Sequence, residues 1–119
     1  MKQLFLLATV MLFSTLFTNA QTQYYSGKSD GQDIAAQLNW KTDETVVGSY
    51  YFLSNPSRVY KLSGTNFVQG EIEIVESMNG KRTASGKLVK SMRKTSIVWS
   101  GELMNVDGTM SSFFIVRSR

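Results

Sequence analysis

The sequence predicts an all-β domain: an antiparallel meander of seven or eight short strands, closed or nearly closed into a small barrel, with a β-sandwich as the alternative. Three observations predict it. Beyond residue 20, apolar and polar residues alternate with the period of two that a half-buried strand requires. Turn formers interrupt that alternation roughly every 8–12 positions, the rhythm of sandwiches and barrels. No long stretch beyond residue 20 carries the 3.6-residue apolar period of a helix.

The first 20 residues stand apart from this pattern. Lys2 gives a positive start, and residues 4–17 form an apolar run broken only by Thr9, Ser14 and Thr15. Thr18-Asn19-Ala20 then supplies small residues where a signal peptidase cuts. The run is shorter than the ~20 apolar residues a membrane-spanning helix needs. Residues 1–20 are therefore read as a secretory signal cleaved after Ala20, and residues 21–119 as a single β-barrel domain, secreted or periplasmic. At ~100 residues such a domain buries one core without staples. No later stretch is long and apolar enough for a transmembrane helix.

The elements follow in chain order. Residues 23–27 form a short first strand, and Asp30-Gly31 marks the next turn. Residues 33–41 place Ile34, Ala36, Leu38 and Trp40 on one face. After a polar turn at 42–45, residues 46–53 place Val47, Ser49, Tyr51 and Leu53 on one face and Gly48, Tyr50 and Phe52 on the other. Ser54-Asn55-Pro56-Ser57 holds the only proline, suited to a turn. Residues 58–66 alternate Tyr60, Leu62 and Gly64 with Val59, Lys61 and Ser63. Residues 70–77 set Ile72 and Ile74 between Glu71 and Glu73. Residues 83–90 carry Ala84, Gly86 and Leu88 on one face, residues 95–105 carry Ile97, Trp99, Gly101 and Leu103, and residues 109–118 carry Met110, Ser112, Phe114 and Val116.

A strand slipped by one residue turns its core face to solvent, so each hairpin register is tested by whether apolar faces meet. Leu53 opposite Arg58 sets Tyr51 against Tyr60. A three-residue loop at 79–81 sets Ile72 opposite Leu88 and Glu73 opposite Lys87, which a two-residue Asn79-Gly80 turn does not. Lys90 opposite Thr95 sets Leu88 against Ile97 and Gly86 against Trp99, the glycine leaving room for the indole. Asp107-Gly108 as a two-residue turn sets Trp99 against Val116, Gly101 against Phe114 and Leu103 against Ser112. Large inward residues (Trp40, Tyr51, Tyr60, Trp99, Phe114) against small ones (Ala36, Ser49, Gly64, Ala84, Gly86, Gly101) predict a filled interior. The outward set then includes Tyr50, Phe52, Val59, Val98, Met104, Phe113 and Ile115, an apolar outer face suited to self-association.

Gly48-x-Tyr50, Tyr60-x-Leu62-x-Gly64, Ile72-x-Ile74-x-Glu76, Trp99-Ser100-Gly101 and Phe114-x-Val116 together resemble a recurrent family of small secreted bacterial β-barrel domains of unknown function. The resemblance spans residues 46–119 and implies the fold but no activity. The strand order and the Trp99-Ser100-Gly101 step are also similar to avidin-type barrels, without the polar groups that a biotin-like ligand needs.

Composition excludes several chemistries. The chain has no Cys and no His. Disulfides and thiolate metal sites are thereby removed, along with the commonest metal ligand and the commonest general base. The serines have no base at a recognisable spacing, and no Gly-rich phosphate loop sits between a strand and a helix. The expectation is a protein that is not an enzyme and holds no cofactor or metal.

The formal charge is +4, from 13 Lys and Arg against 9 Asp and Glu. Between Glu76 and Glu102 there is no acidic residue, while Lys81, Arg82, Lys87, Lys90, Arg93 and Lys94 fall there. Lys81 and Arg82 belong to one turn and Lys90, Arg93 and Lys94 to the next, about 20 Å away at ~3.3 Å per residue. These six are candidate contacts for an anionic polysaccharide or an envelope surface, with a solvated charged face as the competing role. No exposed aromatic run interleaves with them, which disfavours specific nucleic-acid recognition.

Glu71 and Glu73 point outward, with Lys87 positioned to pair with Glu73. Glu76 points inward at a strand end, where a carboxylate needs a partner, and the Tyr60 hydroxyl is the candidate. Tyr60, Glu76 and Trp99 form a candidate barrel-mouth site. The functional expectation is a non-catalytic binding module contacting an anionic surface or a protein partner. The alternative is a small-molecule binder using the barrel mouth.

Overall fold

The computed structural model describes residues 21–66 and 68–117; the expected signal segment lies outside the described residues. Eight strands follow one another: β1 (Gln21–Ser29), β2 (Gln32–Trp40), β3 (Thr45–Phe52), β4 (Asn55–Thr65), β5 (Glu71–Met78), β6 (Lys81–Arg93), β7 (Ser96–Asn105) and β8 (Met110–Arg117). Each pairs antiparallel with the next, and β1 pairs with β8 from Tyr25↔Arg117 to Ser29↔Phe113. The sheet is a closed barrel, not a sandwich. Among the described residues no helix is long and apolar enough to cross a membrane.

Alternate residues of every strand point inward and pack together. Tyr25, Ile34, Ala36, Leu38, Val46, Tyr50, Leu62, Ile72, Ile74, Ala84, Leu88, Trp99, Leu103, Phe113 and Ile115 form one buried cluster. β1 is longer than the segment 23–27 expected, because it is hydrogen-bonded on both sides, to β2 and to β8. Asp30 and Gly31 (φ 53 and 82) and Asn79 and Gly80 (φ 53 and 80) both make two-residue turns with left-handed backbone, whose twist matches the flanking strands.

Four hairpins differ from the sequence reading, each for a local reason. Between β5 and β6, Ile72↔Leu88 and Glu73↔Lys87 pair as expected, but through the two-residue turn and a bulge at Glu76/Ser77, not a three-residue loop. The bulge absorbs Thr83. Between β3 and β4, Tyr50, not Tyr51, pairs with Tyr60. The turn is Leu53-Ser54, and the register shifts between Tyr51 and Phe52, so residues 56–58 bulge out of the ladder. Pro56 has no N–H to give that ladder. Tyr50 and Phe52 therefore face the core, and Tyr51 does not.

Between β6 and β7, Lys90 pairs with Trp99, Leu88 with Gly101 and Gly86 with Leu103, four residues away from the expected register. Residues 91–93 continue β6 instead of turning, and the turn is Lys94-Thr95, with Lys94 left-handed at φ 58. A slip of an even number keeps the face, so Trp99 still points inward. Between β7 and β8 the loop is one residue longer than Asp-Gly. The Asn105 N–H donates to the Thr109 carbonyl at 2.8 Å, Asp107 Oδ1 accepts from the Thr109 N–H at 3.0 Å and its hydroxyl at 2.6 Å, and Gly108 is left-handed at φ 91. The odd shift exchanges the faces: Phe113 and Ile115 enter the core in place of Phe114 and Val116.

These exchanges remove Tyr50, Phe52, Phe113 and Ile115 from the apolar outer face expected from sequence, and Val98 is buried as well. Exposed large apolar side chains such as Tyr24, Val59, Val89, Met92 and Met104 remain, spread over several strands.

The inward glycines serve the neighbouring backbone and leave no room for an indole. A Cβ on Gly101 would lie 2.1 Å from the Lys87 carbonyl oxygen, and one on Gly86 would lie 2.2 Å from that of Glu102. We expect Gly101→Ala to cost about 3 kcal/mol or more, since rigid backbone blocks the new methyl. Gly31→Ala, with open space but φ +82, should cost only about 1–2 kcal/mol. Denaturant unfolding of the two variants checks the order, and equal losses would contradict it.

Candidate functional site

The two ends of the barrel are chemically unlike. At the end carrying the β1–β2, β3–β4, β5–β6 and β7–β8 connections, aromatic rings plug the interior. Tyr50 stacks on Tyr60 at 5.0 Å and 12°, and meets Phe52 and Phe113 edge-on at 5.8 and 5.3 Å. The Arg58 guanidinium lies 5.7 Å from the Tyr60 ring centre.

Glu76 sits in this plug at 5% exposure, on the inward face as expected. Its donor is the Tyr50 hydroxyl, not that of Tyr60. The Thr83 hydroxyl donates to its other oxygen at 2.5 Å. The bulge that absorbs Thr83 turns that hydroxyl toward the carboxylate, a local re-aiming that regular strand geometry forbids. Both carboxylate oxygens are thus occupied from within, which is what a buried carboxylate needs. Burial first, then the hydrogen bond and charge of Glu76, raise the Tyr50 pKa far above its ordinary 10.0.

The opposite end is open. It carries the start of β1 at Gln21, the β2–β3 and β4–β5 loops, the β6–β7 turn and Arg117. A hollow of about 360 Å³ lies there, lined by Gln21, Gln23, Tyr25, Trp40, Asn66, Gln69, Gly70, Lys90, Ile97, Trp99 and Arg117. Its floor is the indole pair Trp40 and Trp99, 5.5 Å apart and tilted by 33°. Lys90 stands beside Trp99 by strand pairing, and Arg117 beside Tyr25. The Lys90 N–H donates to the Gly70 carbonyl at 2.8 Å, which ties the β4–β5 loop to β6. The Tyr25 hydroxyl donates to Gln23 Oε1 at 2.9 Å. Burial raises the Tyr25 pKa, against the opposing pull of the Trp40 and Trp99 N–H groups and the Arg117 charge. The buried Trp40 Nε1 acts on the Tyr25 hydroxyl oxygen without making a regular hydrogen bond to it. Glu44 (φ 68) and Lys94 (φ 58), long side chains in left-handed backbone, lie at this end, and backbone strain of that kind gathers at working sites.

The structure divides the residues singled out from sequence. Tyr60 and Glu76 belong to the plugged end and Trp99 to the open end, because antiparallel β5 and β7 point the same way and these residues fall near their opposite termini. The basic residues divide too. Lys81 and Arg82 lie by the plugged end, while Lys90, Arg93 and Lys94 lie at the open end. Along the 13-residue β6, at ~3.3 Å per residue, Lys90 lies roughly 26 Å from Arg82 and Arg93 roughly 40 Å from Lys81. Lys87 lies between and pairs with Glu71 at 3.4 Å, not with Glu73. Among the described residues no three Cys, His, Asp or Glu side chains gather as metal ligands do.

Gln21, Gln23, Tyr25, Asn66, Gln69, Gly70 and Arg117 are the lining residues that sequence reasoning missed. Arg117 and Tyr25 were beyond reach because only barrel closure brings the first and last strands together. Trp40 and Trp99 were both legible as inward aromatics. Comparison with protein-family models, curated proteins and solved structures finds no match, so geometry alone carries the functional reading.

Two outcomes test the plugged end. Tyr50→Phe removes a donor from a buried carboxylate and should cost about 1–3 kcal/mol. Tyr60→Phe keeps the stacked ring and both Glu76 hydrogen bonds, and should cost under about 1 kcal/mol; denaturant midpoints compare them. The second outcome is alkaline. Tyr50 and Tyr25 have pKa values raised by folding, so their contribution is complete below the unfolded value of ~10 and is lost as pH rises above it. Stability should decline above pH ~10 with a slope of up to ~1.4 kcal/mol per pH unit for each such group. Tyr50→Phe should flatten that slope, and an unchanged slope in unfolding curves would contradict the assignment.

Proposed function

We propose that the domain is a secreted or periplasmic, non-catalytic binding module that takes a small anionic ligand in the hollow at its open end. One observation carries the reading. The hollow combines two cations, Lys90 and Arg117, with an indole floor, and among the described residues no Asp or Glu lines it. Every charged group facing the hollow therefore favours an anion. Arg93 and Lys94, in and beside the adjacent turn, extend the positive field that would draw anions toward it. The basic cluster of one turn meets Trp99 of the expected mouth at Lys90, while Tyr60 and Glu76 of that mouth lie at the other end.

The size supports a small ligand. About 360 Å³ falls in the lower part of the ~300–1,000 Å³ range of small-molecule sites. The lining supports binding over turnover. It holds no carboxylate, the chain has no histidine, and a general base with a pKa near neutrality is what acid–base catalysis requires.

The two tryptophans of the chain both belong to the hollow, so quenching reads it directly. At low ionic strength, iodide should quench tryptophan emission more strongly than caesium, each measured relative to its quenching of a free tryptophan amide. The difference should collapse in the Lys90→Met, Arg117→Gln double variant and at high salt. Equal quenching by the two ions in the unaltered protein would sink the proposal.

A further inference from the structure

We infer that the hollow accepts an acidic sugar, a pyranose bearing a carboxylate; this rests on the reading of the hollow as an anion-binding mouth. Three features separate a sugar from other small anions. The first is the polar lining. Gln21, Gln23, Asn66 and Gln69 bring four carboxamides to the rim. A carboxamide offers donors and an acceptor together, which matches hydroxyls that are themselves both. A plain carboxylate or phosphate calls for donors only. Gln23 Oε1 is already engaged by Tyr25, so its amide hydrogens remain as donors. Asn66 Nδ2 is satisfied by the Val68 and Glu71 carbonyls at 2.9 and 2.6 Å, so its oxygen remains as an acceptor.

The second feature is the floor. Trp40 and Trp99 touch each other at 5.5 Å with a tilt of 33°. Trp99 is 4% exposed and Trp40 is partly buried, so the apolar surface open to a ligand is chiefly the exposed part of Trp40, with no slot between parallel walls. A pyranose lays its C–H face on such a surface and keeps its hydroxyls at the wet rim, the amphipathic role aromatic side chains serve.

The third feature is what lies beneath. Leu38, Leu88 and Ile115 are fully buried under the floor, so there is no channel for an acyl chain and a fatty acid has nowhere to put its tail. The carboxylate then falls to Lys90 and Arg117, of which Arg117 can engage both oxygens.

The test is titration of tryptophan emission with three probes: trigalacturonate, neutral maltotriose, and benzoate as a flat anion without hydroxyls. We expect trigalacturonate to saturate at a concentration at least about tenfold below either of the others, a difference of ~1.4 kcal/mol. The Lys90→Met, Arg117→Gln variant should bring trigalacturonate to the level of maltotriose. Gln69→Ala should weaken trigalacturonate and leave benzoate unchanged. Benzoate binding as tightly as trigalacturonate, or no saturation by any probe while iodide still outquenches caesium, overturns the sugar and leaves the anion mouth standing. Maltotriose binding as tightly as trigalacturonate overturns the acidic sugar. Loss of the iodide preference as well overturns both readings. The three-probe comparison on the unaltered protein decides the matter even if a variant fails to fold.

Discussion

The seam between β1 and β8 is the contact on which the rest of the molecule depends. Strands joined by short hairpins pair with little loss of chain entropy, but the seam joins the two ends of the domain and closes the longest loop of all. It runs from Tyr25↔Arg117 to Ser29↔Phe113, and the Asp30 N–H extends it by donating to the Ser112 carbonyl at 2.8 Å. Without it, β1 and β8 would be open edges, each with a row of unpaired backbone groups inviting association. With it, Tyr25, Phe113 and Ile115 enter a single core. The same seam places Arg117 beside Tyr25, so the open end acquires one of its two cations as a consequence of closure.

A closed barrel packed to its axis offers its two ends and the shallow hollows of its outer wall. The plugged end spends its polar groups on itself. Tyr50 and Thr83 satisfy Glu76, and four aromatic rings cover the remaining apolar surface. The buried carboxylate makes this end specific more than it makes it strong, since an apolar residue of the same shape would escape the desolvation cost. The connections at this end are also tight, three of them turning in two residues. The open end has the longer loops and the strained backbone of Glu44. Loops carried on a rigid sheet are where proteins place recognition.

Much of the barrel was legible before any coordinates, because period-two alternation is read without knowing pairing partners. Ile34, Ala36, Leu38 and Trp40 could be placed on the inner face from their spacing alone, as could Ile72, Ile74 and Glu76. What could not be read were departures from regularity. Pro56 and the bulge around it flipped β3, exchanging Tyr51 for Tyr50. The Asp107–Thr109 hydrogen bonds lengthened one loop by a residue and exchanged Phe114 for Phe113. The Asp-x-Thr pattern was a usable signal, since it recurs at Asp43–Thr45 with the same contacts. The β6–β7 register was harder. An even slip leaves every face unchanged, so face agreement has no power to detect it. Lys90 and Trp99 were therefore recognised separately but not as neighbours.

That undetected slip decides the functional reading. In the expected register Lys90 sits in a turn opposite Thr95, one basic residue among several on a solvated loop. In the observed register it sits within a strand opposite Trp99, with its backbone fixed to the β4–β5 loop through Gly70. A lysine in a mobile turn contributes diffuse charge, which salt screens. A lysine whose backbone is held at the rim of an indole floor contributes charge at one place. At the plugged end the chain satisfies its buried carboxylate from within, through Tyr50 and the bulge that turns Thr83 toward it. At the open end Lys90 and Arg117 meet no carboxylate among the described lining residues, and it is this missing counter-charge on which the proposed anion site rests.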